Sequence, residues 1–410
     1  MLSSDLRIGD TTRVALVHYW YVKRRGGERV LEVLAEMFPQ ADIFMLVHDP
    51  QALAEPIKAH KITSSFLQKL PQVKRYYRSL LPLFPLALEQ FRLDGYDLVI
   101  SHEAGPAKGV ITRPSTCHVC YCHSPMRYLW DMCHDYQKSA PLGAVGRTLY
   151  GLASHYVRQW DYASAARVDY FAASSENAAR RIRKFYGRSS QVIYPPVDVD
   201  AFSLADTHDK FYLVVSPLVA YKRIDLAVEA CNQLRRPLVV IGDGPEKAAL
   251  QRIAGPTVRF LGHQPGDVVR DHYRRCRAFL FPGEEDIGLT PIEAQSAGRP
   301  VIALGKGGAR ETVLGAYQDA SAAPERATGI FFDAQTVNAL VETMLSFEAI
   351  EHRFLPRFIR AHAEQFDKRH FLEKMSEFLA AKLEEHRAGL SLHSPSENRN
   401  YRESAQLLFR

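Results

Sequence analysis

The 410-residue sequence has no long hydrophobic run. No stretch approaches about 18 uninterrupted apolar residues, so no membrane-spanning helix is predicted. The first ten residues are polar and lack the apolar core of a signal peptide. Basic residues exceed acidic ones only slightly, by 52 to 46, and a net charge of +6 does not call for a nucleic-acid partner. These absences predict a cytoplasmic globular protein, and its length predicts two domains.

The protein is also poor in cysteine, with six in the whole chain, which fits a reducing compartment. Four of the six fall between residues 117 and 134 together with three histidines, so a zinc site is one interpretation. Metal sites usually pair two separated clusters, however, and residues 116–122 also fit a buried strand in which thiols act as small apolar side chains. The strand is favoured and the zinc site stays open. The cluster comprises Cys117, His118, Cys120, Cys122, His123, Cys133 and His134.

Positive charge is concentrated in one segment, Lys74–Leu86, where basic residues flank two tyrosines and an apolar run follows. A basic, aromatic and apolar surface suits an anionic membrane face. A helix packed into the core explains the same pattern equally well.

Short apolar strands alternate with helical patterns along the chain, which predicts parallel sheets with right-handed crossovers. Pro195 and Pro196 end the last strand of the first half, because proline cannot donate to a sheet ladder, and the polar stretch Asp206–Lys210 follows. We therefore predict an α/β protein of two doubly wound, Rossmann-like domains, 1–204 and 205–365, facing an interdomain cleft. A helix at about 366–387 and a polar tail at 388–410 follow. The predicted strands are Val14–Val17, Ile43–Val47, Asp97–Ile100, His118–Tyr121, Val168–Ala172, Gln191–Tyr194, Phe211–Ser216, Pro237–Ile241, Val258–Leu261, Ala278–Phe281 and Pro300–Leu304.

The most informative segment, residues 281–294, joins an apolar strand to a helix. Thr290 fits the N-cap, Pro291 the first helical position, and Glu293 completes a capping box, which is the purely structural interpretation. The functional interpretation rests on the rule that ligands bind at the carboxyl ends of such strands. Glu285 would then accept hydrogen bonds from sugar hydroxyls and Glu293 would reach a ribose, since a carboxylate accepts from two vicinal hydroxyls at once.

The same helix start offers backbone amides, those of Gly288, Leu289 and Thr290, to an anion such as a diphosphate, which the helix dipole favours. Lys222 and Arg223 lie on the loop after the first strand of the second domain, where cations would neutralise charge growing on a leaving phosphate. A solvated basic pair is the alternative, which the dipole of the following helix disfavours.

Two further positions follow strands of the first domain. Gly26 and Gly27 would let backbone approach a ligand closely, although a plain tight turn also explains them. A G-x-G-x-x-G fingerprint is absent, so a dehydrogenase is disfavoured. His123 ends a predicted strand and would lie in the cleft, although a lone histidine is more often structural.

Together these segments resemble the family 4 retaining glycosyltransferases of GT-B fold, over residues 14–383. The most specific part is the pair Glu285 and Glu293 on either side of Gly288. The first domain is similar to the bacterial mannosyltransferases that build O-antigen and exopolysaccharide units. The supporting segments are Gly26–Val30, Tyr121–Tyr128, Tyr221–Arg223, Gly242–Pro245, Ala297–Ala303 and Gly307–Val313.

The resemblance implies a role for each position. Glu285, His123 and Lys222 are the implied catalytic residues: Glu285 would hold hydroxyls of the donor sugar, His123 would lie near the anomeric carbon, and Lys222 would bind the diphosphate. Ser216 and Pro217 stand where Gly-Arg is common in the family, so Arg223 would have to replace the missing phosphate contact; Thr290 stands where proline is frequent. The implied donor-binding residues are Arg223, Glu293, Gly288, Leu289, Thr290, Gly26, Gly27, Gly242 and Gly262.

The resemblance also implies the reaction. A hexose, mannose from GDP-mannose, would pass with retention to a hydroxyl of a saccharide or polyprenyl-diphosphate-linked acceptor, with peripheral contact at the cytoplasmic membrane face. The final helix would cross back to the first domain. No cofactor and no metal are expected; the D-x-D spacing of Asp198 and Asp200 follows the Pro-Pro pair and is interpreted as incidental. The alternatives are a nucleotide-sugar epimerase of the same architecture and a non-catalytic binding protein on a degenerate transferase fold.

Overall fold

The computed structural model describes residues 11–102, 105–139, 143–205, 207–316 and 323–392. These residues form thirteen strands and fifteen α-helices. The strands are β1 (Val14–Tyr21), β2 (Asp42–His48), β3 (Ile62–Ser64), β4 (Leu98–His102), β5 (Cys117–Cys122), β6 (Tyr170–Ala173), β7 (Gln191–Val192), β8 (Tyr212–Val215), β9 (Leu238–Ile241), β10 (Val258–Gly262), β11 (Ala278–Phe281), β12 (Val301–Leu304) and β13 (Gly329–Phe332).

The helices alternate with these strands along the chain. They are α1 (Gly26–Met37), α2 (Glu55–Lys58), α3 (Val73–Tyr76), α4 (Phe84–Glu89), α5 (Cys133–Ser139), α6 (Ala144–Ser164), α7 (Glu176–Tyr186), α8 (Ile224–Leu234), α9 (Lys247–Ile253), α10 (Gly266–Arg275), α11 (Leu289–Ser296), α12 (Ala309–Thr312), α13 (Val337–Ile350), α14 (Pro356–Ala363) and α15 (Lys368–Leu392).

The strands form two sheets. The first has the order β3-β2-β1-β4-β5-β6-β7 and the second the order β10-β9-β8-β11-β12-β13. β1 pairs in parallel with β2 and β4, and β8 pairs in parallel with β9 and β11, so each sheet grows in both directions from its first strand, as a Rossmann sheet does. The predicted α/β class with two Rossmann-like parallel sheets is confirmed.

Two compact units make up the chain. The first contains the described residues up to Cys122, Met126–Ala172, and those from Glu373 onward; the second contains His123–Pro125 and Ala173–Leu372. Residues 173–204, assigned to the first domain from the sequence, therefore lie in the second unit. α15 begins in the second unit and continues in the first.

The second sheet is covered on both faces, which explains why its strands read as continuous apolar runs. Tyr212 and Val214 of β8 belong to one core cluster and Leu213 to another, as the alternation of side chains along a strand requires. All four residues of β11 and of β12 are buried. Such burial on both faces is typical of parallel sheets flanked by helices.

The first unit holds α6 through polar contacts deep in its interior. Lys108 and Asp161 form an ion pair in which both side chains are fully buried. The indole N–H of Trp130 donates to the other oxygen of the Asp161 carboxylate at 2.8 Å. A buried pair of this kind loses hydration, and the additional hydrogen bond offsets part of that cost.

The C-terminal helix corrects one sequence prediction. α15 runs to Leu392, so residues 388–392, predicted as part of a polar tail, are helical. Residues 393–410 of that tail lie outside the described residues. No helix of the part of the chain that the structure describes is long and apolar enough to cross a membrane.

Candidate functional site

The carboxyl ends of β8, β9 and β10 and the loops that follow them are joined by backbone hydrogen bonds at one edge of the second sheet. The N–H of Leu218 donates to the carbonyl of Asp243 at 3.1 Å, and the N–H of Gly242 donates to the carbonyl of Gly262 at 2.8 Å. Gly242 and Gly262, two of the implied donor-binding residues, thus lie side by side. Ligands of open parallel sheets bind at this edge.

Lys222 and Glu285 are the implied catalytic residues that the structure brings together. Lys222 ends a 3₁₀ turn after β8, Glu285 lies on the loop after β11, and their side chains form an ion pair. Only 12% of the Lys222 side chain and 19% of the Glu285 side chain are exposed. The Lys222 ammonium also lies 5.4 Å from the centre of the Tyr221 ring, a cation–π contact. The two charges therefore neutralise each other.

Arg223 has a different partner. Its backbone is left-handed, with φ of 51°, and it caps the start of α8. Its guanidinium binds both carboxylate oxygens of Asp225 at 2.8 to 3.1 Å, which raises the pKa of Arg223 above its ordinary value. The contact of Arg223 with a diphosphate stays a prediction.

The start of α11 differs from the predicted N-cap. The helix begins at Leu289 with Gly288 as its cap residue, so the prediction of Thr290 as the N-cap and Pro291 as the first helical residue was wrong. The reason is the backbone of Gly288, whose φ of 77° turns the chain into the helix earlier than a side-chain cap would. A Cβ atom at Gly288 would also meet the ring of Phe281 at 2.7 Å.

Glu293 does not complete a capping box. Its carboxylate accepts a hydrogen bond from the hydroxyl of Tyr273 at 2.9 Å, and both residues are buried. Tyr273 comes from α10, on the element that precedes β11. A buried carboxylate held on a helix of the site fits a binding role better than a surface cap, which would be solvated.

The loop that carries Glu285 is supported by residues that the sequence analysis missed. The Arg181 guanidinium binds the Asp286 carboxylate at 2.8 Å, and the Asn177 side-chain amide donates to the same oxygen at 2.9 Å. The Ser175 hydroxyl donates to the backbone carbonyl of Asp286 at 2.7 Å. α7 therefore fixes the residue next to Glu285. In the sequence, only the acidic run Glu284–Asp286 indicated that a basic partner would bind this loop.

Glu311 binds the N-terminus of the same helix, α7. Its carboxylate accepts hydrogen bonds from the backbone N–H groups of Glu176 and Asn177, both at 2.7 Å, at the start of α7. Burial raises the pKa of Glu311 above its ordinary value, while these donors oppose that shift. The anion position at this helix start is therefore occupied by a protein carboxylate.

His123 follows β5 and is half-buried. Loss of hydration lowers the pKa of its imidazole to about 4, so the ring is neutral at neutral pH. The Ser174 hydroxyl donates to the His123 carbonyl at 3.0 Å, which fixes its backbone. A neutral imidazole can donate or accept a hydrogen bond, whereas it would not supply positive charge to a leaving group.

Gly26 and Gly27 form the first turn of α1 rather than a turn before it, so the tight-turn interpretation was wrong. The Glu28 carboxylate accepts a hydrogen bond from the Arg25 N–H at 3.0 Å and so satisfies one backbone group at this helix start. Glu28 is buried, and burial raises its pKa to about 7.

Four of the seven cluster residues, Cys117, His118, Cys120 and Cys122, lie in the predicted strand, whereas Cys133 and His134 begin α5. β5 spans Cys117–Cys122, and all six of its residues are buried. Among the described residues, the only metal-binding side chains that gather in a group of three are Cys117, Asp169 and His386, with ligand atoms within 4.8 Å of one another. This is not the set that the zinc interpretation proposed. Asp200 of the D-x-D segment pairs with the Arg360 guanidinium at 3.2 Å.

Comparisons with known proteins agree with this architecture. Residues 24–201 match the family model described as Glycosyltransferase Family 4, and residues 198–365 match the model described as Glycosyl transferases group 1. The fold, the paired loops at the sheet edge and these matches define the class as glycosyl transferases built on two parallel sheets. The chain belongs to glycosyltransferase family 4.

Curated relatives are distant. A D-inositol 3-phosphate glycosyltransferase of Gordonia bronchialis is 26% identical over 246 residues, which cover 51% of each chain. A GDP-mannose-dependent alpha-(1-6)-phosphatidylinositol monomannoside mannosyltransferase of Mycobacterium tuberculosis is 26% identical over 50% of this chain and 61% of its own. O-antigen chain mannosyltransferase C of Escherichia coli is 26% identical over 51% of this chain and 59% of its own. The chain thus spans about half to three fifths of these relatives.

Solved structures share the fold. Sucrose-phosphate synthase from Thermosynechococcus elongatus superposes with a TM-score of 0.68 at 18% identity, over 90% of this chain and 98% of that one. Anabaena HepE in complex with UDP gives a TM-score of 0.64 at 15% identity, over 90% of this chain and 100% of that one. Both are of the GT-B type expected from the resemblance.

Proposed function

We propose that the chain is a retaining glycosyltransferase that moves mannose from GDP-mannose to a hydroxyl of a lipid-linked saccharide in surface polysaccharide assembly. The observation that carries the proposal is the Lys222–Glu285 ion pair at the carboxyl edge of the second sheet. The mannosyltransferases among the relatives support the choice of sugar and base. Gly288 and the start of α11 supply the backbone amides that suit a diphosphate.

The reaction would proceed as follows. The ammonium of Lys222 pairs with the donor diphosphate instead of Glu285. The Glu285 carboxylate is then able to accept hydrogen bonds from the sugar hydroxyls. The acceptor oxygen bonds to the anomeric carbon while the bond from that carbon to the leaving phosphate oxygen breaks. The acceptor proton passes to the leaving diphosphate on the same face, which retains the configuration. The protein supplies positioning and electrostatic stabilisation.

We propose that no metal takes part, because Lys222 and the helix start of α11 can neutralise the diphosphate. Asp200, the D-x-D residue that a metal would need, is already paired with Arg360. Activity that survives a chelator supports this proposal; activity lost with chelator and restored by magnesium contradicts it.

The Lys74–Leu86 segment is the proposed site of membrane contact. Tyr77 and Phe84 are buried in the core, whereas Tyr76, Leu83 and Leu86 are exposed. The segment therefore has an inner face that belongs to the core and an outer face that is available to a lipid surface.

The test is an assay with purified protein, GDP-mannose and a polyprenyl-diphosphate saccharide, with other nucleotide sugars in parallel. We expect a new α-linked mannose by NMR, and thermal stabilisation by GDP and GDP-mannose since a bound ligand raises apparent stability. Conversion of the nucleotide sugar without acceptor would favour the epimerase. Stabilisation without turnover, together with unchanged cellular polysaccharide in a Glu285→Gln strain, would favour a binding protein.

A further inference from the structure

Three side chains that can bind a metal ion meet in the first unit. Cys117 is the first residue of β5, Asp169 immediately precedes β6, and His386 lies on α15. One thiol, one carboxylate and one imidazole ligand atom all lie within 4.8 Å of one another. The three residues are far apart in the sequence, so only the folded chain brings them together.

The backbone around these groups is fixed by hydrogen bonds. β5 and β6 are neighbours in the first sheet. The Asp169 N–H donates to the His118 carbonyl at 2.9 Å, and the Asp169 carboxylate accepts from the His118 N–H at 2.7 Å. The Cys117 thiol lies 3.9 Å from the carbonyl of Lys382, which precedes His386 by about one turn of α15. The sheet and the helix therefore hold all three groups in place.

The position of the His386 imidazole is not explained by hydrogen bonds among the described residues. Its Nδ1 lies 3.9 Å from the Asp169 carboxylate, which is beyond hydrogen-bond distance. Its Nε2 is buried and has no hydrogen-bond partner in the part of the chain that the structure describes. Buried polar groups without a partner are rare in folded proteins, and an ion that binds there is one explanation for such a group.

A cysteine–histidine–carboxylate nucleophile is the alternative use of these groups, and burial argues against it. Reactive cysteines are partly exposed, whereas Cys117 is fully buried. The group also lies at the amino ends of β5 and β6, and ligands of such sheets bind at the carboxyl ends. Cysteine, histidine and aspartate are side chains that bind zinc. A structural metal site therefore fits better than a catalytic thiol.

The dimensions and charges suit Zn²⁺. With bonds of about 2.0 to 2.3 Å, the ligand atoms of a tetrahedral zinc ion lie about 3.4 to 3.6 Å apart, so the group needs only a small contraction. A Cys117 thiolate and the Asp169 carboxylate would balance the charge of the ion. Glu385 and Arg387, which also act on the thiol, carry opposite charges and offset each other. The Asp169 side chain is 37% exposed, so water can reach the fourth position.

We propose that Cys117, Asp169 and His386 bind one Zn²⁺ ion, with water as the fourth ligand, and that this ion fastens α15 to the first sheet. Binding releases the thiol proton of Cys117 to solvent, because the thiolate is the ligand, and no oxidation state changes. The ion takes no part in glycosyl transfer, so this proposal is independent of the proposed function.

The test is binding of Zn²⁺ and Co²⁺ to the full chain after a chelator has removed any metal. We expect one ion per chain and a thiolate-to-cobalt charge-transfer band, since Co²⁺ enters zinc sites and reports a sulfur ligand. Cys117→Ala should abolish the band. His386→Gln and Asp169→Asn should weaken binding by more than about 100-fold, because the loss of even an outer-shell partner costs about 10- to 100-fold.

Matched controls change the same residue types outside the site. His370→Gln replaces an exposed histidine of α15, and Cys120→Ala replaces a buried thiol of β5. Both should bind metal like wild type. Zinc should raise the melting temperature of wild type and of both controls, and leave that of His386→Gln unchanged. Equal melting temperatures of wild type and His386→Gln in chelator will show that this variant folds.

Three results would overturn the proposal: no stoichiometric binding by wild type, bound cobalt without the charge-transfer band, or binding that His386→Gln and Asp169→Asn leave intact. The proposed function is tested separately. Stabilisation by GDP-mannose should be the same in wild type and in His386→Gln. If GDP-mannose stabilises neither protein, the donor assignment fails and the zinc site stands.

Discussion

The ammonium of Lys222 and the carboxylate of Glu285 meet across two loops at the carboxyl edge of the second sheet. The two loops follow β8 and β11, which are neighbours in that sheet although about sixty residues separate them in sequence. Each side chain is largely buried, so each charge is stabilised by the other. We expect the pair to be sensitive to substitution.

Removal of the cation should therefore affect chemistry strongly. In Lys222→Met we expect kcat to fall about 100- to 1,000-fold, the loss typical of one electrostatic contact to a developing charge. The remaining Glu285 carboxylate loses its cation in a poorly hydrated place, which also weakens donor binding. The control is Arg353→Met, which breaks the more exposed pair with Glu325 and should leave kcat unchanged. Full activity in Lys222→Met would contradict the assignment.

The Tyr273 hydroxyl should matter for nucleotide binding. Tyr273→Phe deletes the hydrogen bond to buried Glu293, and we expect a loss of about 1 kcal/mol in stability and a raised KM for the donor with a smaller change in kcat. Tyr212→Phe is a matched control, since its hydroxyl donates to Glu348 at 2.9 Å in the same unit. It should lower stability similarly and leave donor KM unchanged. If both variants change KM alike, Glu293 has no special role at the ribose.

Gly307 should tolerate no side chain. Its φ is 62°, and a Cβ atom would lie inside van der Waals contact with the carbonyl oxygen of Glu285. Gly307→Ala should displace the Glu285 loop and reduce kcat. Gly389→Ala, in helix α15 where a Cβ atom would meet nothing within 4 Å, is the control and should be neutral or slightly stabilising. Equal kinetics for the two variants would show that the loop adapts.

Glu28 should make the protein less stable as pH rises. Its pKa is raised from 4.5 to about 7, so between these values the folded chain keeps a proton that the unfolded chain has released. The favourable contribution is present below about pH 4.5 and is lost as pH rises to about 7. Glu28→Gln should remove this part of the pH dependence of the melting temperature, whereas Glu36→Gln, an exposed site on the same helix, should not. Parallel curves for wild type and Glu28→Gln would exclude the effect.

His123 should behave in the opposite sense. Its pKa is lowered to about 4, so its contribution to stability is complete above about pH 6.5 and is lost as pH falls through 4. NMR of the imidazole protons should show no titration of His123 between pH 5.5 and 8. His208, whose pKa the Glu351 carboxylate raises, should titrate above 6.5 in the same spectra. Titration of His123 near 6.5 would mean that its ring is well hydrated.

The fold could be read from the sequence where apolar runs are continuous. β11 was predicted with its observed bounds, Ala278–Phe281, because burial on both faces leaves no polar position in it. α6 was missed because its apolar residues lie on both its inner and its outer face, so no clean helical periodicity appears. β13, Gly329–Phe332, was missed because it begins with a glycine and offers an apolar run of only three residues, Ile330–Phe332.

The site was predictable only in part. Glu285 and Lys222 were identified by loop position and family pattern, but their mutual contact depends on the close approach of backbone at Gly283 and Lys222, which no local pattern reports. The capping box around Glu293 was wrong because a left-handed Gly288 competes with Thr290 for the cap. The role of Arg181 in holding Asp286 required the fold itself.

The support that α7 gives to the Glu285 loop decides where this chain can be cut. A fragment that starts at residue 198, where the second family match begins, would discard Arg181 and the amides of Glu176 and Asn177. Asp286, the residue next to Glu285, and Glu311 would then lose these hydrogen-bond donors. Chimaeras that exchange nucleotide-sugar specificity between relatives should accordingly be joined between Ala172 and Ala173. α7 then stays in the same parent sequence as the Glu285 loop that it supports.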